Sequence, residues 1–262
     1  MHRLLPGYVV LICLLLMVPI IIVVILAFSG AGYLQFPPKS FSLRWFVRFL
    51  ADPQWQAALW YSLVIGVIAC VLATVVGFFA AYAFVRGSFP GKKLLLSLLL
   101  LPIIVPTVIT SIAMYFISAR LHTVGNLLWI GLCHAVIALP VVLLILVSTL
   151  QGVDANLERA ALSLGASRAR VFLKVVAPIA APGLVSAALF AFLASFDELI
   201  ISLFLTGIRA QTLPVRIWNS LHLEIEPTIA AVRAFLIAVT ALVLLLDTLL
   251  RGRRAATMNA QR

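Results

Sequence analysis

Two adjacent carboxylates, Asp197 and Glu198, stand inside the apolar stretch SFDELIISLFLTG. A carboxylate at membrane depth costs at least about 2–3 kcal/mol, so it normally faces protein or a water-filled path. On a continuous helix Glu198 extends the face of Ser195, three residues back, while Asp197 turns about 100° toward Ala194 and Phe190. Three readings stand open: the pair lines a translocation path, one member pairs with Arg233, or both sit shallower in solvent. Trp45 offers a π face that can accept a cationic substrate. It can equally serve, with Trp55, Trp60 and Tyr61, as an aromatic anchor at the membrane boundary.

Other chemistries find no support. His2, His122, His134 and His222 form no i, i+4 pair and no HExxH pattern, so no metal site is predicted. His134 reads as polar glue within an apolar helix. Cys13, Cys70 and Cys133 lie inside apolar runs without metal-ligand spacing and read as small buried hydrophobes. Gly87-Ser-Phe-Pro-Gly91-Lys92-Lys93 imitates a phosphate loop, but its glycines are one residue too close. Lys93 also replaces the Ser or Thr that would hold Mg²⁺, and no βαβ unit surrounds it. No nucleophile has a base beside it. The expectation is no catalytic residue, no cofactor, no metal and no ATP hydrolysis by this chain.

The elements that position these residues are membrane helices. Of 262 residues, 64% are hydrophobic and 10% charged, with a mean hydropathy of +1.20; ordinary globular domains are about 25% charged. Such a chain is an all-α, multi-pass membrane protein. Its net charge of +11 reads as topology rather than nucleic-acid binding. Apolar runs at about 8–28, 60–85, 94–118, 127–150, 179–206 and 228–250 predict six transmembrane helices in one permease-sized domain, 1–262. The first run follows a short basic start, yet is longer than a signal-peptide core of ~7–15 residues, and is expected to be a retained anchor. With both termini cytoplasmic, twelve Lys and Arg fall inside, including Arg3, Arg86, Lys92, Lys93 and Arg262, against six outside, including Arg44, Arg120, Arg209 and Arg216.

Local patterns refine this. Ser42–Leu50 reads as a short amphipathic segment on the outer face. Small residues recur every fourth position at Ala69, Ala73, Gly77, Ala81 and again at Gly183, Ala187, Ala191, Ser195, which predicts tight helix packing. Pro102 and Pro106 predict a kinked third span.

The longest polar interruption, 154–178, carries Arg159, Arg168, Arg170 and Lys174 yet keeps helical spacing. Asp154 is the expected N-cap of a first short helix, with Leu157, Ala161 and Leu164 on one face, and Gly165 its C′ residue. Ser167 is expected to cap a second, carrying Val171, Phe172 and Val175, which Pro178 closes off. A folded basic loop between the fourth and fifth spans suggests a docking surface for a cytoplasmic partner.

At Arg159-Ala160-Ala161, Gly165 and Ala177-Pro178 the chain resembles the "EAA" loop of the membrane subunits of bacterial ATP-binding-cassette (ABC) importers. The family's Glu position holds Arg159, with Glu158 one place earlier. The resemblance implies that the loop inserts into an ATPase subunit and carries its motion into the membrane. It implies partners as well: a cytoplasmic ATPase dimer, a second similar permease and a periplasmic substrate-binding protein, all at the inner membrane. On that reading Leu157, Ala160, Ala161, Gly165 and Ala166 form the ATPase contact, with Glu158 and Arg159 adding charge at its rim. SFDE, Gln211–Arg216 and Glu224–Ala231 resemble the polyamine branch, in which acidic residues meet the cationic substrate; Asp197, Glu198 and Trp45 are then the path candidates. Polyamine members often carry an acidic residue where this chain has Ile103 and Thr107, so opines and other amines stay open. A membrane-embedded enzyme would need clustered acids or histidines, and a secondary transporter would show more spans and internal repeats.

Overall fold

The computed structural model describes residues 5–33, 35–208, 210–223 and 227–259. His2, Arg3, Arg209, Arg262 and the segment Glu224-Ile225-Glu226 lie outside the described residues. Among those described, the structure is helical, with one isolated bridge between Ser29 and Phe41. The chain divides into two compact units, Met1–Ala58 with Val215–Leu242, and Leu59–Pro214 with Val243–Arg262.

The first unit contains α1 (Leu5–Ala27), α2 (Arg44–Ala51), the opening of α3 (Pro53–Arg86), most of α11 (Leu213–Leu223) and the first half of α12 (Thr228–Asn259). Ala27, Ala230 and Ala234 form a small core with Val24, Leu26 and Phe46. The expected amphipathic segment is α2, which buries Trp45 and Phe49 one turn apart and exposes Arg44, Val47 and Leu50. Asp52 accepts hydrogen bonds from the backbone N–H groups of Gln54 (2.7 Å) and Trp55 (3.3 Å), and Pro53 takes the first helical position. That start signal places the beginning of α3 at Pro53, earlier than the apolar run at 60.

The second unit holds α4 (Lys92–Ile104), α5 (Thr107–Arg120), α6 (Leu127–Gln151), α7 (Ala155–Ser163), α8 (Arg168–Val171), α9 (Ala177–Phe196) and α10 (Ile200–Leu205) with the rest of α3. Its main core joins α3, α6 and α9 through Ala69, Ala73, Ala81, Leu143, Leu146, Ala187 and Ala191. Both small-residue stripes are therefore packing faces. A Cβ at Gly77 would lie 2.6 Å from Val142, and one at Gly183 would overlap Thr149 outright. Glycine at these places lets α6 approach both neighbours closely.

Among the described residues, four helical stretches are long and apolar enough to cross a membrane: Tyr8–Ala27, Pro53–Arg86, Leu127–Gln151 and Arg168–Phe196. A fifth crossing is made if α4 and α5 count together, and Thr228–Leu242 is a shorter apolar helix. Three expectations need correction. The run 94–118 is bent at its prolines as expected, but it is two helices rather than one, at 101° to each other about Val105-Pro106. Val105 is extended (φ −76°, ψ 129°), as the residue before proline prefers. The run 179–206 is not one helix either: α9 stops at Phe196 and α10 begins at Ile200. Finally, Pro178 closes nothing. The second loop helix runs through a π-helical turn, Phe172–Val176, straight into α9. The wider turn just before Pro178 relieves the crowding its ring would cause against the preceding turn.

Candidate functional site

The loop between α6 and α9 folds as its capping residues dictate. Asp154 accepts from the Asn156 N–H (2.9 Å) and opens α7. Gly165, at φ +84°, closes it: the Gly165 N–H bonds the Leu162 carbonyl (3.0 Å) and the Ala166 N–H bonds Ala161 (3.1 Å). This paired arrangement satisfies the last carbonyls of the helix and needs a left-handed residue at 165. Ser167 accepts from the Arg170 N–H (3.4 Å) and starts α8.

Burial then sorts the residues that the sequence brought forward. Leu157, Arg159, Ala160, Leu164 and Gly165 are exposed, Leu164 at 88%. Ala161 and Ala166 are half-buried and pack against the α3–α6–α9 core. Glu158 points the other way and is only 8% exposed. It accepts from Arg86 Nε (2.7 Å) and from the Tyr82 hydroxyl (3.0 Å), while Arg86 Nη2 donates to the Val153 carbonyl (2.7 Å). The loop is thus tied to the end of α3 by a charge-assisted network. Sequence reasoning missed Arg86 and Tyr82 as part of this site. The available signals were that Arg86 is the first cation after its span and that Tyr82 is a hydroxyl within an apolar run.

At the other end of α9 the helix breaks around the two carboxylates. Asp197 occupies the C-cap and is exposed. Glu198 is half-buried, and its Oε1 accepts from the N–H groups of Ile200 (2.9 Å) and Ile201 (3.1 Å). Glu198 therefore caps α10, and the helical-face reasoning applied to it ends at Phe196. The break is bridged from α6. Buried His134 pairs through Nδ1 with Ser195 Oγ (2.8 Å) and through Nε2 with Ser202 Oγ (3.2 Å), one serine on each side of the gap. Arg233 lies exposed on α12 in the first unit.

Trp45, in the first unit, is 7% exposed, with the Arg44 guanidinium 4.5 Å and that of Arg48 5.9 Å from its ring centroid. The chain's own arginines occupy the surroundings that the sequence offered to a substrate cation. Trp55 is also buried, with Arg216 over its ring at 5.6 Å, so neither tryptophan is an open boundary anchor.

Long apolar helices packed through small residues, with a folded polar loop clamped to a span end, define a multi-pass membrane protein. Residues 73–255 match the family described as binding-protein-dependent transport system inner membrane component, and the chain belongs to it. It is 32% identical over 239 residues to a Haemophilus influenzae spermidine/putrescine transport system permease protein, PotC, covering 90% of this chain and 91% of that one. To the Escherichia coli putrescine permease PotI it is 29% identical over 232 residues, covering 86% and 82%. To the E. coli molybdenum permease ModB it is 36% identical over 162 residues, covering 57% and 70%. Among solved structures, a bacterial ABC transporter that imports the polysaccharide alginate superimposes with a TM-score of 0.71 at 14% identity, covering 95% of each chain. The methionine transporter MetNI gives 0.61 at 18%, covering 78% and 98%. This chain is therefore the permease subunit of an ABC importer in the bacterial inner membrane, and ATP hydrolysis belongs to a separate subunit.

Proposed function

We propose that this permease moves a polyamine of the putrescine–spermidine class, delivered by a periplasmic binding protein, through a path shared with a second, similar permease. The chain crosses the membrane six times with both termini in the cytoplasm, the bent α4–α5 pair and α12 supplying two of the crossings, and acts as one permease domain. On this topology the loop Asp154–Ser167 meets the ATPase dimer. Leu157, Arg159, Ala160 and Gly165 form the contact; Ala161 and Ala166 seat α7 on the bundle; Glu158 transmits motion to α3. The Arg86–Glu158–Tyr82 tie carries this reading, because a docking helix can drive a span only if it is fastened to one. Asp197, exposed at the break, is the path carboxylate, with Glu198 holding the break open beside it.

Polyamine rests on the two putrescine-type relatives and on Asp197. The resemblance to the molybdenum permease favours a second reading, an oxyanion substrate. Calorimetry on a periplasmic binding protein that co-purifies with the assembled transporter separates them. Tight binding of putrescine or spermidine supports the first; binding of molybdate or another oxyanion replaces it and leaves the permease assignment standing.

A further inference from the structure

Beside α7 lies a groove of about 810 Å³, walled by the end of α3, α7, α8 and the π-helical turn. We propose that it holds one anionic phospholipid, with the phosphate at Arg168 and an acyl chain along Phe79, Phe172 and Leu173.

Location is the first support. Arg86 ends one candidate span and Arg168 begins another, and both line this groove. Its mouth therefore sits where hydrocarbon gives way to headgroups. Phe79, about 10 Å further along α3, reaches toward the apolar side and is 59% exposed, as Leu173 is at 65%. Phe172 stacks on Phe79 with centroids 5.3 Å apart, making one continuous apolar wall.

Charge is the second. Arg86 is committed to Glu158 and the Val153 carbonyl, whereas Arg168 is exposed and has no carboxylate partner among the described residues. One open cation above an apolar wall complements an amphiphile with an anionic head and suits neither an apolar peptide nor a second basic surface. The groove also lies on a different side of α7 from the exposed Leu157, Ala160 and Leu164. Glu158 and Leu162 face it, roughly 100–160° around the helix from Leu157 and Ala160. An ATPase contact centred on Leu157 and Ala160, with Arg159 at the edge between the two faces, leaves the groove accessible, and the lipid site requires only that the chain be inserted in a membrane.

The test places a fluorophore at Leu173→Cys, in a chain whose three native cysteines are replaced by alanine, within the intact transporter in vesicles. Nitroxide-labelled phosphatidylglycerol and nitroxide-labelled phosphatidylcholine are compared as quenchers at equal mole fraction. The expected result is a preference of about fivefold for phosphatidylglycerol, the scale of one cation at an anionic lipid. Arg168→Gln should erase it, while Arg168→Lys and Arg170→Gln keep it. Equal quenching by both lipids would reduce the groove to ordinary boundary lipid and overturn the proposal. Quenching by neither would mean that protein fills the groove, and overturns it as well. The lipid comparison on Leu173→Cys alone is decisive should Arg168→Gln fail to assemble.

Discussion

Arg86 and Glu158 are 72 residues apart in the chain and meet at 2.7 Å, joining the end of α3 to α7, the first helix of the polar loop. The carboxylate is the more deeply buried partner, its side chain 10% exposed against 21% for Arg86. Removing the arginine strands a charge in a poorly hydrated place, which costs about 3 kcal/mol for a buried pair. Less is lost here, because Arg86 keeps some solvent. Arg86→Ala and Glu158→Ala should each cut uptake at least tenfold while the assembled transporter still hydrolyses ATP. The exchanged pair, Arg86→Glu with Glu158→Arg, should recover part of it. Wild-type uptake by Glu158→Ala would remove this tie from the coupling route.

Gly165 gives a finer separation of local from partner effects. Among the described residues beyond its chain neighbours, none has an atom within 4 Å of a Cβ built there, so substitution is resisted by its φ of +84°. Gly165→Ala should cost about 1–2 kcal/mol of local helix termination, and Gly165→Asn less, because asparagine tolerates the left-handed region. Both should retain measurable uptake. Gly165→Asp, which adds charge on an open surface, should insert normally but abolish transport through the ATPase contact. Immunoblotting of membranes alongside uptake distinguishes insertion from coupling.

Packing of α6 on α9 is set at Gly183. A Cβ there collides with Thr149, so Gly183→Ala should destabilise the purified protein by about 1–3 kcal/mol. Thr149→Ala vacates the colliding hydroxyl and methyl. The double variant should therefore melt closer to wild type than Gly183→Ala alone, a non-additivity expected only for groups in contact. Additive losses would show that the two helices do not meet at these residues.

His134 fastens both sides of the break in the 179–206 run. Interhelical hydrogen bonds in membranes are worth about 0.6 kcal/mol on average and up to about 1.7. His134→Ala should destabilise the protein by about 1 kcal/mol, the loss of two such bonds, read as a lower melting temperature. Adding Ser202→Ala should cost little more, because its partner is already gone. Equal further destabilisation would mean that Ser202 works through other contacts.

The two carboxylates should part company in experiment. Asp197→Asn, at an exposed cap position, should reduce cationic-substrate uptake with thermal stability unchanged. Glu198→Ala should instead destabilise by about 1 kcal/mol through the lost cap on α10, with Glu198→Asp or Glu198→Ser recovering part of it. Melting curves and uptake measured on the same preparations would expose a reversal of these roles.

Much of the chain was legible as sequence because its signals are local. Apolar runs state how much chain lipid can accept, and small residues every fourth position mark a packing face whatever the neighbour. Asp154, Gly165 and Ser167 fix the polar loop through bonds that span no more than a few residues. Other features depend on what stands opposite. Glu158 and Arg159 are neighbours of opposite charge, and nothing local says which turns inward; Arg86 and Tyr82, more than seventy residues earlier, select Glu158. Trp45 reads as an open aromatic until Arg44 and Arg48 are seen over its ring. The gap at Asp197–Leu199 is only partly local: Glu198 within it satisfies the N–H groups of Ile200 and Ile201, whereas the bridge from His134 to Ser195 and Ser202 is brought by α6. Short-range hydrogen bonding and lipid solubility are written along the chain, whereas the direction a buried charge faces is decided by the partner the fold brings to it.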